Sequence, residues 1–221
     1  KKDFVFEIFW KKCLWNKIKS FKPDLISVTC LFSVTHHSYK DVCKEIKNSK
    51  SLSVNGLEKV PLVSGGVHLS HDPENILSEI KEIDIGFLNE GELSFVSLVG
   101  YQNKIKNLDD LSMTYIRDKK NEFIKIDIDG RPKHLDLEIM PAYELINVEE
   151  YSKFGTIGSW SAFRDNVKIG TVLSNRGCRA QCTFCNVRIF NGAGVRQRSI
   201  ESVVDELSLL KNKYGIDHIS W

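Results

Sequence analysis

Short apolar runs of strand length alternate with helical patterns over the first hundred residues, and this alternation restricts the fold more than any other feature. Residues 25–32 form an almost unbroken apolar run, as expected for a strand covered on both faces. Residues 60–64 and 83–88 repeat the pattern, and a helical segment follows each run. The alternation predicts an open parallel α/β sheet.

Capping residues and prolines set the predicted starts and ends of the helices. We interpret residues 4–8 as one more short strand, and residues 9–21 as a helix whose inward side chains are Phe9, Cys13, Leu14 and Ile18. Lys22-Pro23 ends this helix because proline cannot continue the hydrogen-bond ladder. Further helices are predicted at residues 38–47, 72–82 and 93–101, the second opened by Asp72-Pro73.

The rhythm changes after residue 102. Residues 114–117 and 122–126 predict a β-hairpin, and the order of strand then helix resumes with a strand at 170–174, a helix at 199–214 and a strand at 216–221. Ser199 is the expected N-cap of that helix, with an apolar stripe of Val203, Val204, Leu207 and Leu210. We therefore predict an α/β domain over residues 1–102, a linker region over 103–168 and the start of a second domain over 169–221.

Composition excludes several classes of protein. Thirty-one basic and 29 acidic residues are interspersed and leave a net charge of +2, so nothing supports a nucleic-acid partner. The sequence contains no apolar run of membrane-spanning length and no apolar core of a signal peptide near Lys1-Lys2-Asp3-Phe4. These features predict a cytoplasmic protein.

Three of the six cysteines lie within eight residues, in the array Cys178-x3-Cys182-x2-Cys185 after the apolar run 169–173. Such packing in a charged chain favours metal or redox chemistry over a disulfide framework. Three thiolates can hold three irons of a four-iron four-sulfur cluster and leave the fourth iron open. A molecule with an amine and a carboxylate, such as S-adenosylmethionine (SAM), could chelate that open iron and be reduced there.

The array, with Phe184 just before its last cysteine, resembles the signature of radical SAM proteins. Asn175-Arg176-Gly177, Val195-Arg196-Gln197-Arg198-Ser199 and the acidic segment 201–206 are similar to the branch of that superfamily with an N-terminal cobalamin (B12)-binding domain. Pro141-Ala142-Tyr143 resembles the linker between the two domains of this branch. The resemblance implies that Cys178, Cys182 and Cys185 hold the cluster and that Phe184 lies near bound SAM.

The first hundred residues support the same branch. Lys22-Pro23-Asp24-Leu25-Ile26, Ser64-Gly65-Gly66-Val67-His68 and Asn89-Glu90-Gly91-Glu92 resemble strand-end loops of the flavodoxin-like (Rossmann-type) cobalamin-binding domain. Ligands of open α/β sheets bind beyond the carboxyl ends of the strands, where glycine lets the backbone approach. The resemblance therefore implies cofactor-binding roles for Thr29, Gly65, Gly66, Glu90 and Gly91.

The implied activity is a SAM-dependent radical reaction of a small molecule, either C-methylation or a carbon-skeleton rearrangement such as cyclisation. Its implied cofactors are a 4Fe-4S cluster, SAM and cobalamin, and flavodoxin or ferredoxin would supply electrons. The chain departs from the branch in lacking an Asp-x-His-x-x-Gly motif and in supplying only about two strands and one helix of the partial (β/α) TIM-like barrel. We expect little or no turnover from residues 1–221 alone.

Two other functions are compatible with the residues. A radical SAM methylthiotransferase acting on tRNA or protein could hold a second cluster with Cys13, Cys30 and Cys43, although burial in the core explains those cysteines better. A non-enzymatic α/β binding module could instead hold structural zinc, which requires a fourth ligand, and His218 is the one histidine downstream of the array.

Several other side chains also have two interpretations. His36-His37 could be metal ligands or part of a solvated loop, and His68 and His71 could line a pocket or cap a helix. Arg196 and Arg198 could meet an anionic cofactor or form a solvated basic turn.

Overall fold

The computed structural model describes residues 2–48, 60–102, 111–118, 120–137, 140–153 and 167–220. The chain divides into two compact units, an N-terminal unit of Lys1–Arg131 and a C-terminal unit of Pro132–Trp221. Each unit has its own sheets and its own buried apolar clusters. Each is therefore described by itself.

The N-terminal unit alternates strands and helices, as the sequence predicts. Its elements are α1 (Lys2–Phe21), β1 (Ile26–Thr29), α2 (His36–Lys47), β2 (Leu62–Gly65), α3 (Val67–His71), α4 (Pro73–Glu79), β3 (Ile85–Phe87), α5 (Glu92–Gln102), β4 (Thr114–Arg117) and β5 (Phe123–Ile126). The five strands form one sheet in the order β1-β2-β3-β4-β5. The predicted α/β class is confirmed.

The sheet combines parallel and antiparallel pairing. Ile26 pairs with Leu62 and Val63 with Ile85 in parallel register, so the carboxyl ends of β1, β2 and β3 lie at one edge. The hairpin β4–β5 is antiparallel and pairs with β3 through Gly86 and Tyr115. We had assigned this hairpin to the linker region, and the structure instead makes it part of the N-terminal sheet.

Both faces of the sheet are covered. Leu62 packs with Leu69, Leu77 and Cys43 of the helices on one face, whereas the next residue, Val63, packs with Leu98 of α5 on the other. Successive strand residues point to opposite faces, so an apolar run such as Leu62-Val63 is buried only when both faces are covered.

The start of the chain corrects one prediction. Residues 4–8, interpreted as a strand, belong to helix α1, which continues to Phe21 because no glycine or proline interrupts it. Ile18 is buried and Leu14 packs against the same cluster, as predicted. Phe9 and Cys13 are exposed rather than inward.

The C-terminal unit contains α6 (Val148–Lys153), β6 (Ile169–Thr171), β7 (Asn175–Cys178), α7 (Val187–Asn191), β8 (Gly194–Gln197), α8 (Ile200–Tyr214) and β9 (His218–Ser220). β6 and β9 pair in parallel with α8 between them in sequence, so the predicted strand, helix and second strand are present. Val203 and Leu210 are buried, but Val204, placed in the same stripe, is half exposed. The antiparallel hairpin β7–β8 was missed because Asn175-Arg176-Gly177-Cys178 has no apolar alternation.

No helix within the described ranges is long and apolar enough to cross a membrane.

Candidate functional site

Thr29, Gly65 and Gly66 meet at the carboxyl edge of the N-terminal sheet. The Thr29 hydroxyl donates to the Gly65 carbonyl over 3.3 Å, and the Cys30 amide donates to the same oxygen over 3.2 Å. Gly66 has a φ of +100°, and a Cβ there would lie 2.5 Å from the Cys30 carbonyl oxygen. Only glycine allows this approach of the two strand-end loops.

Glu90 and Gly91 follow the third parallel strand at the same edge. Glu90 is buried, and a Cβ at Gly91 would contact the Phe87 side chain at 3.5 Å. Ser70 links this loop to the previous one, since its hydroxyl donates to the Gly66 carbonyl over 2.9 Å and accepts from the Asn89 amide over 2.8 Å. The structure thus brings the loops after β1, β2 and β3 together. Lys22-Pro23-Asp24-Leu25-Ile26, predicted as another strand-end loop, instead leads into the amino end of β1 and does not belong to this edge.

The loop after β1 presents an apolar surface beside these glycines. Leu31, Phe32 and Val34 are 54%, 49% and 89% exposed, although they lie within four residues of each other. Apolar side chains at the carboxyl edge of an open sheet suit a large ligand with extensive carbon surface. A cobalamin is such a ligand, so the residues present fit it.

Two histidines join the helices at this edge. His36 Nδ1 lies 2.9 Å from His68 Nε2, and the Ser33 hydroxyl lies 3.0 Å from His68 Nδ1. Burial lowers the pKa of His68, and the neighbouring His36 lowers it further. His36 Nε2 lies 3.2 Å from the Glu79 carboxylate. The pair is a structural bridge between α2 and α3, whereas His37 and His71 are exposed.

Cys30 and Cys43 pack in the core. The Cys30 thiol donates to the Phe32 carbonyl over 3.4 Å, and burial raises the pKa of Cys43 to about 12. A thiol held in its neutral form is a poor metal ligand because metals bind the thiolate. Cys13 is exposed on α1, so a second cluster on these three cysteines gains no support.

The three-cysteine loop begins at the end of β7. Gly177 has a φ of +94°, and a Cβ there would lie 2.3 Å from the Gly194 carbonyl, so glycine is required one residue before Cys178. The Ala180 amide donates to Cys178 Sγ over 3.4 Å, and the Cys185 amide donates to the Cys182 carbonyl over 3.2 Å. Cys178 and Cys185 are partly exposed, and Cys182 is exposed.

Three cysteine thiols are the donor set that the sequence motif implies for a cluster with one open iron. Within the described residues, no three side chains of His, Cys, Asp or Glu converge as the ligands of one metal ion would. In a cluster each cysteine holds a different iron, so the thiols need not converge on one point. An amide hydrogen bond to a thiolate, such as that from Ala180 to Cys178, is one of the contacts that tune such clusters. His218 is exposed in β9, and nothing here makes it a zinc ligand.

Of the other predicted residues near the loop, Phe184 is exposed, whereas Arg196 and Arg198 make hydrogen bonds or ion pairs within the protein. Phe184 is 90% exposed, so it does not pack the loop. Arg196 is structural, since it donates to the Pro132 carbonyl over 2.5 Å and to the Asn191 carbonyl over 2.9 Å. Arg198 pairs with Glu206 and is not a solvated turn residue.

Comparison with known proteins agrees with this fold. Residues 12–99 match the B12 binding domain. The N-terminal unit is therefore a B12-binding domain of the Rossmann-like α/β class, as predicted.

The whole chain resembles cobalamin-dependent radical SAM enzymes, as the sequence motifs indicate. It is 32% identical over 207 residues to an uncharacterized methyltransferase of Pyrococcus horikoshii, covering 92% of this chain and 40% of that protein. It is 27% identical over 220 residues to the cytidylyl-2-hydroxyethylphosphonate methyltransferase of Streptomyces wedmorensis, covering 90% of this chain and 39% of that protein.

A solved structure shows the same fold. The radical SAM methyltransferase TsrM of Kitasatospora setae, solved with a tryptophan substrate and a SAM analogue, superposes with a TM-score of 0.70 at 18% identity. The match covers 96% of this chain and 39% of TsrM. The chain thus spans about two fifths of the length of each relative described.

Sequence reasoning missed two groupings. His36 and His68 were treated separately, although both follow neighbouring parallel strands and could have been expected to meet. Tyr143 and Glu206 were not linked, and a separation of 63 residues with no shared periodicity gives no sequence signal.

Proposed function

We propose that this chain is the cobalamin-binding and cluster-bearing part of a radical SAM methyltransferase that acts on a small molecule. The observation that carries the proposal is a three-cysteine loop that begins at the end of β7, in a chain whose N-terminal unit is a B12-binding domain. Both relatives described by sequence are named methyltransferases, and one name specifies a cytidylyl phosphonate. Methylation is therefore favoured over cyclisation or rearrangement.

Cys178, Cys182 and Cys185 would hold three irons, and Phe184 would face the SAM adenine from the loop's exposed side. Thr29, Gly65, Gly66, Glu90 and Gly91 would position cobalamin beside the apolar side chains of the loop after β1. When bound, the cluster supplies an electron to SAM and cobalamin carries a methyl group. Flavodoxin or ferredoxin would deliver that electron in the cytoplasm.

The chain's own residues prepare these places. Gly66 lets the loop after β2 approach the Cys30 carbonyl, and Gly177 lets β7 approach the Gly194 carbonyl. Ser70 links the loop after β2 to the loop after β3. The Ala180 amide is already directed at the Cys178 sulfur. These contacts fix the positions of the loops that would hold the cofactors.

Cluster formation tests the cysteine site. Anaerobic reconstitution with iron and sulfide should give about four irons per chain and broad visible absorption, as for a 4Fe-4S centre. Cys182→Ala should lose most of this absorption, whereas Cys13→Ala, which removes an exposed cysteine of α1, should retain it. Zinc binding by the wild type without cluster absorption would instead support the structural zinc module.

Cobalamin binding tests the N-terminal site separately. Aquacobalamin should remain with the wild-type chain through gel filtration, measured by its visible spectrum. Phe32→Ala should weaken retention, because Phe32 belongs to the exposed apolar surface at the strand ends. Ile124→Ala is the matched control, since Ile124 is similarly exposed, at 57%, on the hairpin strand β5. Equal retention by both variants would argue against this placement of the ligand.

A further inference from the structure

Arg198 ties together the backbone that leads into the cysteine loop. Its amide donates to the Ser174 carbonyl over 2.9 Å, and its guanidinium donates to the Leu173 carbonyl over 3.1 Å. Leu173 and Ser174 lie between β6 and β7, and β7 ends at Cys178. One residue therefore holds two of the carbonyls in the connection between β6 and β7.

The guanidinium is itself held by helix α8. It donates to the Ser202 carbonyl over 3.0 Å and to the Ser202 hydroxyl over 2.9 Å, and it pairs with the Glu206 carboxylate. The Glu206 side chain is 3% exposed and that of Arg198 is 15% exposed. Water therefore competes little for these contacts, and the planar fork of arginine uses several donors at once.

Tyr143 completes the network from outside the helix. Its hydroxyl donates to the second oxygen of Glu206 over 2.5 Å. Burial raises the pKa of Tyr143, and the hydrogen bond to Glu206 raises it further, so the hydroxyl keeps its proton. With one oxygen on Tyr143 and the other on Arg198, the Glu206 carboxylate is fixed in orientation.

The same residue also closes the hairpin that carries the loop. Arg198 directly follows Gln197, the last residue of β8, which pairs with Asn175 at the start of β7. Both strands of the hairpin are thus anchored at the end opposite Cys178 and Gly194. Movement of Arg198 would shift the two strands together and displace Cys178 from Cys182 and Cys185.

We propose that Arg198 is a positioning residue for the iron–sulfur cluster, acting through the Leu173 and Ser174 carbonyls under the control of Glu206. This role rests on the proposed function, because it requires that the three cysteines bind a cluster. In this role Arg198 acts through the backbone and sets the place at which the first ligand enters the loop.

The test compares Arg198→Lys with the wild type after anaerobic reconstitution. Lysine keeps the charge beside Glu206 but cannot reach Leu173, Ser202 and Glu206 together. We expect the variant to keep the wild-type circular dichroism spectrum, to hold less than half of the wild-type iron and sulfide, and to show an altered EPR spectrum of the reduced cluster. Ser202→Ala, a milder change, should alter the spectrum in the same direction.

Leu210→Ala is the control for a purely structural effect. It removes a buried apolar side chain of the same helix and leaves the hydrogen bonds of Arg198 in place, so it should lower the thermal midpoint and leave the iron content and EPR spectrum unchanged. Wild-type iron and EPR in Arg198→Lys would overturn the positioning role alone. Absence of a cluster in the wild type would overturn the proposed function, and the positioning role with it.

A second readout needs no cluster. In the apo chain, Arg198→Lys should raise the alkylation rate of partly buried Cys178 relative to exposed Cys182, measured by peptide mass spectrometry. An unchanged ratio of the two rates would contradict the proposed anchoring of β7.

Discussion

At the scale of single residues, substitutions around the buried carboxylate of Glu206 should affect stability most. Glu206 is almost fully buried, and two partners from different segments satisfy both of its oxygens. A buried carboxylate that loses one partner keeps its desolvation cost without the matching interaction. Removing one partner of Glu206 should therefore lower the free energy of unfolding more than removing one partner of the exposed ion pair Lys125–Asp127.

Tyr143→Phe tests this sensitivity. The change removes a hydrogen bond to a charged group and should lower the free energy of unfolding by about 1.5 to 3 kcal/mol. Urea denaturation followed by fluorescence measures the loss. Tyr151→Phe is the control, because Tyr151 is 69% exposed on α6 and its hydroxyl should contribute little. Equal stability of the two variants would show that Glu206 is satisfied without Tyr143.

His68 makes stability depend on pH. Its pKa is lowered in the folded chain, so below pH 6.5 the unfolded chain binds its proton more readily than the folded chain. The free energy of unfolding should therefore fall as the pH decreases through this range, and the contribution of His68 to the slope should vanish above it. His68→Gln should flatten the slope measured by urea titrations between pH 5 and 7 (roughly the histidine range). An unchanged slope in His68→Gln would show that protonation of His68 is not coupled to folding.

At the scale of elements, caps determine where α8 begins. The Ser199 hydroxyl accepts from the Ser202 amide over 3.2 Å, and Asp136 accepts from the Ser199 amide with both carboxylate oxygens at 2.9 Å. The start of the helix is thus fixed from its own cap and from the preceding segment. The sequence predicts the first contact from the residue type, but not the second, because Asp136 lies 63 residues away.

Ser199→Ala should destabilise the C-terminal unit by about 1 kcal/mol, as expected for loss of an N-cap. Thermal denaturation of the chain measures the effect. Ser208→Ala, on the exposed side of the same helix, should be neutral or slightly stabilising because alanine favours the helix interior. A loss of similar size at position 208 would show that hydroxyl removal alone, and not capping, weakens the helix.

The elements also show what the sequence could predict. The buried strands β1, β2 and β3 and the helix α8 follow from apolar runs and periodicity, since their side chains face a core on known faces. The hairpin β7–β8 was not predicted, because its pairing depends on two glycines with positive φ and on backbone contacts that leave no apolar pattern. Residues 4–8 were misassigned because a short apolar run fits a strand as well as one side of a long helix.

The same division applies to the candidate site. Local spacing predicted the cysteine loop, and glycine positions predicted the loops after β2 and β3. Lys22-Pro23-Asp24-Leu25-Ile26 was wrongly predicted as a strand-end loop, because it leads into β1. The contacts that orient them, such as Ser70 between two loops and Glu206 with Arg198, are tertiary and join residues without a sequence pattern.

At the scale of the whole molecule, two units with separate buried clusters lie on one chain. We expect two calorimetric unfolding transitions. Aquacobalamin should raise the midpoint of one and cluster reconstitution the midpoint of the other, because a ligand stabilises the folded form that binds it. A single transition that shifts with either cofactor would show that the units unfold together.

The exposure of Cys182 has a consequence for handling the protein in air. Of the three array cysteines it is the most open to solvent, and exposed thiolates are the ones that oxidants reach first. If the proposed cluster requires all three sulfurs, oxidation of this one side chain would end cluster assembly in that molecule. Aerobic storage should therefore divide a preparation into competent and incompetent chains, at a rate set by a single solvent-facing sulfur atom.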